Sequence, residues 1–441
     1  MKAEIQKRLV QLSESFWLVP GSMVVASVLL AVALLYVDRN QLLPEWLVES
    51  DWLYNGGGTG ARTLLGAIAS STIGVAGTVF SITIAALSLA AGQMGPRLLR
   101  NFTRDRGNQF TLGAFLGTFS YALMVLRSVR TQDEGLFTPH IALTVGLLLA
   151  FACVATLVYF VGHMASRINV DTVIDLVSDD IAAALASLVA TAPADDAPPQ
   201  AFWEGATVVV DGRRGYLQHL DADGLADWAA EHHTAILLLV RRGDFVFPGA
   251  PIALMTAAAP GAEAAIGDAT ALGHSRGTAG DPEQAIRQLV EVAVRALSPG
   301  INDPHTAMSV LDRLGSALCD LAGATLRTGV FVRDDATALV VPSATYTTLT
   351  DIMFHMIRQN AKGSAAVYIR MLNVLTSVVA CEPDAQRRAT LVRHADLVVA
   401  DAERNIANPD DAGDVRARRT RLQRVLEQGP LGALSAAGAR A

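Results

Sequence analysis

Four stretches of the chain stay apolar for about twenty residues or more, and nothing comparable recurs after residue 166. They run over about 16–38, 63–92, 109–128 and 138–163. A bilayer core of about 30 Å takes roughly 20 apolar residues in helix, so each stretch is predicted to span a membrane. The first is long, and no small-residue cleavage site leads from it into a soluble domain. It therefore reads as an anchor and not as a removed signal peptide.

Inside the second stretch the pattern has a finer grain. Ser70, Gly74, Thr78, Ser81, Ala85, Ser88 and Gly92 recur at spacings of four and three, which lines small and hydroxyl-bearing residues along one helical stripe. Ile73, Ala76, Phe80, Ile84 and Leu87 form another face, and Gly95-Pro96 breaks the helix just before the arginines. Close packing between helices explains such a stripe, because small residues let backbones approach in lipid. So does a pore: in a symmetric oligomer the stripe of each subunit faces the axis, and Arg97 and Arg100 ring the inner mouth. The middles of all four spans lack Asp, Glu, Lys and Arg, and Asp38, Arg127 and His163 sit only at span ends. Ion-coupled carriers usually keep an ionisable group at midplane. The pattern thus leaves a channel or a plain anchor.

After residue 166 the periodicity changes. Residues 167–190 read as an amphipathic helix, with Ile168, Val173, Ile174 and Leu176 set against Asp175, Asp179 and Asp180, and "TAPADDAPPQ" closes this helix-and-linker segment at 200. Residues 201–256 form a small β-rich module. Its strands are "ATVVV", "GYLQHL", "TAILLLV" and "DFVFPGAPIALM", with a short helix capped by Asp221 or Asp223 among them. "RRGDFVFPGAPIAL" is similar to the turn-and-strand pattern of barrel-sandwich modules related to lipoyl and biotinyl domains. A covalent carrier of that kind needs a lysine, and none occurs between Lys7 and Lys362. What survives is docking or assembly.

Residues 257–428 are predicted to be mainly helical, starting with a loop and a short helix over 257–280. Asp281-Pro282 opens a helix that buries Ile286, Leu289, Val290, Ala293 and Leu297. Ser298-Pro299-Gly300 stops it, with Gly300 as the residue free to turn left-handed. Asp303-Pro304 opens the next, which buries Ala307, Val310, Leu311, Leu314, Leu318 and Leu321. A hairpin follows, "VFVRDD" and "ATALVVP", turning at Asp334-Asp335, and further helices fit 344–360, 364–380, 384–407 and 413–427. The tail at 429–441 reads as disordered. The expected fold is an α-helical integral membrane protein with four transmembrane helices and a cytoplasmic α+β region, a small β-module followed by a helical domain.

Charge orients this arrangement. The N-terminus carries Lys2, Lys7 and Arg8, and the second loop carries Arg97, Arg100, Arg104 and Arg106 against Asp105. The first loop has Glu45, Glu49 and Asp51, with Trp46, Trp52 and Tyr54 as interface anchors. The positive-inside rule then places both termini and the 95–108 loop in the cytoplasm of a bacterial inner membrane. Of 441 residues, 51% are hydrophobic and only 17% charged, below the quarter or so usual in soluble domains. A net charge of −7 offers no basic footprint for nucleic acid. Only three lysines occur, which reads as a compositional bias towards arginine and alanine.

Candidate chemistry is sparse. Cys153, Cys319 and Cys381 have neither a CxxC nor a zinc spacing, so no disulfide framework is expected and a reducing cytoplasm fits. His232 and His233 are adjacent and so do not face the same side of a helix. With His219 they read as surface or packing residues, and no metal site is expected. Ser298, Asp303 and His305 are hydrolase residue types, yet they fall within eight positions, whereas triads are assembled from distant segments. No GxSxG occurs, and "GGGTGART" at 56–63 lacks the phosphate-loop lysine. No enzyme activity and no cofactor are expected.

"IRQLVEVAVRALSPGINDPHTA" (286–307) and "FSITIAALSLAAGQMGPRLLRNFTRD" (80–105) together resemble the bacterial predicted membrane proteins grouped as domain of unknown function 2254. The resemblance spans nearly the whole chain. It implies a multi-pass membrane protein and supplies no activity or catalytic residues. Ser298, Pro299, Gly300, Asn302, Asp303 and Pro304 are read as a structural joint, with Asn302 bracing the turn or touching a neighbouring subunit. The sequence thus suggests a homo-oligomeric ion channel or pore in a lipid bilayer, lined by the second span. The alternative is a membrane-anchored cytoplasmic sensor or scaffold with a small-molecule or protein partner.

Overall fold

The computed structural model describes residues 16–40, 54, 57–94, 105–130, 137–167, 169–190, 196–274, 276 and 281–430. They form two compact units, one built mainly from residues 11–169 and one from 170 onwards. The basic N-terminal residues Lys2, Lys7 and Arg8, the acidic first loop, Arg97, Arg100 and Arg104, and the tail from 431 lie outside the described residues.

The first unit holds α1 (Leu18–Arg39), α2 (Gly58–Met94), α3 (Arg106–Ser128) and α4 (His140–Arg167). All four are long and apolar enough to cross a membrane. At about 1.5 Å per residue, the 37 residues of α2 exceed a bilayer core, and the helix starts earlier than its apolar run predicts. The added start carries Ala61, which is buried together with Leu65 of the predicted run, Tyr121, Ala122 and Val125 of α3 and Leu143 of α4.

The third helix is the least apolar of the four and the most buried. Its Gly113 and Gly117 lie against α1. A Cβ on Gly113 would stand 2.5 Å from the Met23 sulfur and 3.1 Å from Pro20 Cα; one on Gly117 would stand 2.6 Å from Ser27 Oγ. This small-xxx-small pair is what lets the two backbones approach without a hydrophobic driving force between them.

Polar groups at the span ends have structural work. The Asp38 carboxylate accepts from the amides of Ile141 and Ala142 at 3.2 and 3.0 Å, and so caps the start of α4 from the end of α1. The Tyr121 hydroxyl donates to Ala142 O at 2.7 Å. Loss of a cap of this kind costs about 1–2 kcal/mol. Asp38→Ala is therefore expected to lower the thermal unfolding midpoint of the detergent-solubilised protein by a few degrees, and Asp38→Asn by less.

The second unit opens with α5 (Val170–Ala186), whose Val173, Ile174, Val177 and Ile181 are buried. Strands β1 (Thr207–Asp211), β2 (Gly215–Leu220), β3 (Ile236–Leu238), β4 (Phe245–Val246) and β5 (Ala250–Met255) fall where the alternating pattern places them, with α6 (Ala222–Glu231) between β2 and β3. Its N-cap is Asp221, whose side chain accepts from Gly224 N. Two features depart from expectation. After the short helix α7 (Ala262–Ala269), residues Thr270–Gly273 form β6, which pairs antiparallel with β2 in a three-stranded sheet of order β4-β2-β6. Thr-Ala-Leu-Gly is too short to carry a strand signal alone; the partner edge makes the strand.

The hairpin β7 (Val330–Arg333) and β8 (Ala336–Val340) turns at Asp334 and Asp335, both at positive φ, as expected. It does not stand within a helical domain. β8 pairs parallel with β3, giving a five-stranded sheet of order β1-β5-β3-β8-β7. Three strands of 201–256 (β1, β3 and β5) thus share a sheet with two strands from the stretch expected to be mainly helical. Ile236, Leu238, Ile252, Ala253, Met255 and Leu339 bury the sheet beneath Leu225, Ala226 and Ala229 of α6 and Ile266 of α7. The remaining helices are α8 (Pro282–Ala296), α9 (Pro304–Asp320), α10 (Tyr346–Asn360), α11 (Ala365–Cys381), α12 (Ala385–Asn405) and α13 (Pro409–Gln428). They match the predicted ranges to within a few residues.

Candidate functional site

In the membrane unit, the seven stripe residues of α2 all face away from the chain's own bundle. Ser70, Gly74, Thr78, Ser81, Ala85, Ser88 and Gly92 are exposed. Leu65, Ile68, Ala69, Thr72, Ala76 and Val79 are buried, and at roughly 100° per residue that side lies opposite the stripe. Ile73, Phe80 and Ile84, read from the sequence as the other face, are exposed as well and flank the stripe. A Cβ added at Gly74 or Gly92 meets nothing within 4 Å. Among the described residues, close packing within the chain therefore does not account for Ser70 to Ser88 of the stripe; that role belongs to Gly113 and Gly117.

Three of the four stripe hydroxyls bond to their own helix. Ser70 Oγ donates to Ala67 O at 3.2 Å, Thr78 Oγ1 to Gly74 O at 3.2 Å and Ser81 Oγ to Gly77 O at 2.9 Å. Their donors are spent on the backbone and their lone pairs point outwards, so the surface is polar without a buried cost.

The segment Ala296–Asp303 is a joint between α8 and α9. Asp281 and Asp303 cap the two helices, accepting from Glu283 N and Thr306 N, and proline follows each at the first helical position. The hydroxyl of Thr306 donates to Asp303 at 2.6 Å and, as the largest influence, holds that carboxyl below its usual range. Ser298 Oγ donates to Arg295 O at 2.6 Å, which closes the end of α8, while His305 is exposed. The left-handed residue is Asn302, at φ 51°, and not Gly300. Asparagine tolerates that region better than most residues. Its amide donates to Ser298 O at 2.9 Å, and the Asp303 amide to Ala296 O at 2.8 Å. Asn302 thus supplies the turn's left-handed position through its backbone.

Two clusters of titratable groups in the second unit escaped the sequence pattern. One borders a cavity of about 300 Å³ lined by Arg241, Arg242, Asp281, Glu283, Arg327 and Phe331. Arg241 pairs with the buried Glu283 at 2.5 Å. Burial raises the Asp281 carboxyl despite Arg242 and Arg241 nearby, and burial lowers the Arg287 guanidinium.

The other cluster joins α10 to α12. Asp351 and His355, four residues apart, share one face of α10; His394 reaches them from α12. Asp351 Oδ1 stands 3.1 Å from His355 Nε2 and 3.0 Å from His394 Nε2. Arg393 also pairs with Asp351 and lies 3.3 Å from His394 Nε2. Burial, then the charges of Arg393 and His355, push the His394 imidazole down to about 4, so it is neutral. Burial alone would raise the Asp351 carboxyl, but the Arg393 hydrogen bond and charge outweigh it and hold the group below its usual range. The one sequence signal for this group is the Asp-x-x-x-His spacing, which without the fold has no third member. The histidines weighed from sequence are not part of it: His232 Nδ1 lies 2.9 Å from Trp228 O with its ring stacked on that indole, and His233 is exposed in a turn.

Over residues 13–377 the chain matches the sequence family described as "Predicted membrane protein (DUF2254)". It is 32% identical over 391 residues to uncharacterized proteins of Mycobacterium tuberculosis (strain H37Rv) and Mycobacterium bovis. In each case the match covers 83% of this chain and 73% of the relative. No solved structure matches.

Proposed function

We propose that this chain, which belongs to the predicted membrane protein family DUF2254, is a homo-oligomeric, ion-conducting pore of a bacterial inner membrane. The second helix lines the pore with Ser70, Gly74, Thr78, Ser81, Ala85, Ser88 and Gly92. Arg97 and Arg100 stand at the cytoplasmic mouth, both termini are cytoplasmic, and no catalysis is involved. The observation that carries the reading is that Ser70, Gly74, Thr78, Ser81, Ala85 and Ser88 of α2 are all exposed, on the side of the helix opposite its buried residues. Closed symmetry would bring such stripes together on an axis. An arginine-lined mouth favours anions.

Purified protein in liposomes is expected to pass ions, with a reversal potential under a salt gradient that reports anion preference. Ser81→Phe is expected to cut the flux towards the protein-free background while the protein still inserts and assembles. No conductance under any voltage or tension would overturn the proposal.

One observation favours a second reading, a membrane-anchored sensor. The cavity lined by Arg241, Arg242 and Arg327 with Asp281 and Glu283 has the size of a small-ligand site, and its arginines outnumber its carboxylates, which favours an anion. Native mass spectrometry of the full chain, finding a retained anionic small molecule and no conductance in liposomes, would select it.

A further inference from the structure

We propose that Asp351, His355 and His394 bind an exchangeable first-row divalent cation, such as Zn²⁺ or Co²⁺, in competition with the Arg393 side chain. The argument starts from spacing. Metal–ligand bonds of about 2.0–2.2 Å hold neighbouring ligand atoms roughly 3–3.5 Å apart. The two Nε2–Oδ1 separations already have that value, at 3.1 and 3.0 Å, and the candidate ligand atoms all lie within 4.8 Å of one another. Two imidazoles and one carboxylate on one face of a site suit a borderline divalent ion and leave positions for water.

The hydrogen-bond arithmetic at His394 points to a cation. If Nε2 carries the proton, it can donate to Asp351 but opposes the N–H of Arg393 at 3.3 Å. If the proton is on Nδ1, Nε2 can accept from Arg393, but its lone pair faces the Asp351 oxygen at 3.0 Å. In that second tautomer two acceptor atoms face each other, and only a cation reaching both reconciles them. A positive charge between the nitrogen and the oxygen satisfies both, and in the metal-free chain the Arg393 guanidinium supplies it. His394 is fully buried, so its ring is fixed, whereas 45% of the Arg393 side chain is exposed and has a route out. The triad is the rigid part and Arg393 the movable one.

Neither histidine's Nδ1 has a hydrogen-bond partner among the described residues. Ligating histidines usually donate that N–H to a second group that orients them and raises affinity. Its absence here fits an ion that exchanges and not one held permanently.

The test uses the full chain purified in detergent through a tag without histidines, stripped with a chelator and titrated with Co²⁺. Equilibrium dialysis is expected to give one ion per chain, with visible absorption bands that Zn²⁺ abolishes. His355→Ala, at the half-buried member of the triad, is expected to weaken binding at least 10-fold, within the range for altered metal sites. Arg393→Gln is expected to tighten it, because the competing cation is gone. Wild-type protein that holds no more Co²⁺ than His355→Ala overturns the proposal. Weaker binding in Arg393→Gln overturns the competition and makes Arg393 a supporting residue. Circular dichroism of each variant separates loss of metal from loss of fold, and the result does not depend on whether the protein conducts ions.

Discussion

Gly113→Leu is expected to unseat the first apolar helix from the third, whereas Gly74→Leu is expected to leave the chain folded and to lower the ion flux proposed for it. The two glycines look alike in sequence, each within an apolar helix. At Gly113 the first added carbon meets Met23 Sδ at 2.5 Å and the backbone at Pro20 Cα at 3.1 Å. The sulfur can swing aside and the proline backbone cannot. A leucine there forces α1 off α3, at an overpacking cost of about 1–3 kcal/mol or more, and lipid offers no hydrophobic force to push the helices back together. The detergent-solubilised variant should unfold at a clearly lower temperature and expose Met23 to oxidants. At Gly74 the same carbon meets open space, so the unfolding temperature should stay near wild type while liposome flux falls. Equal destabilisation by both substitutions would mean that the α2 stripe packs within the chain after all.

Asp401→Ala is expected to be among the most damaging single changes in the second unit. Arg358 on α10 and Asp401 on α12 are both buried and paired with each other, and Arg404 pairs with the other Asp401 oxygen. Removing the carboxylate leaves the Arg358 guanidinium buried with no counter-charge, and arginine cannot escape by losing its proton. Breaking a buried pair in this way costs about 3–5 kcal/mol, a fall on the order of 10 °C in unfolding midpoint for a unit of this size. The pair as a whole contributes much less, because its desolvation offsets most of its attraction. Arg358→Met with Asp401→Leu should therefore recover most of the loss. A double variant as unstable as Asp401→Ala would show that the pair is needed for more than charge compensation.

Most of the architecture was legible because it rests on local rules. Apolar length alone placed the four spans, and Asp-Pro pairs placed the starts of α8 and α9. The Asp334-Asp335 turn identified a hairpin. What escaped was non-local. β6 is a strand because β2 offers it an edge, and the hairpin's sheet partner β3 lies nearly a hundred residues earlier in the chain. Gly300 was the natural candidate for the left-handed turn. Closing the joint instead required the residue just before the Asp303 cap in that conformation, and Asn302 could accept it.

The candidate sites divide in the same way. Helical periodicity by itself determined that Ser70 to Gly92 form one stripe, since a fixed rotation per residue needs no partner. Only the tertiary structure decided that this stripe faces away from the bundle while Gly113 and Gly117 do the close packing, because facing is a relation between helices. Likewise Asp351 and His355 were a spacing on one helix. His394 became their third member only when α12 packed on α10 and brought its Nε2 to 3.0 Å from the same oxygen. Sequence determines what each element can present; folding decides which presented groups meet.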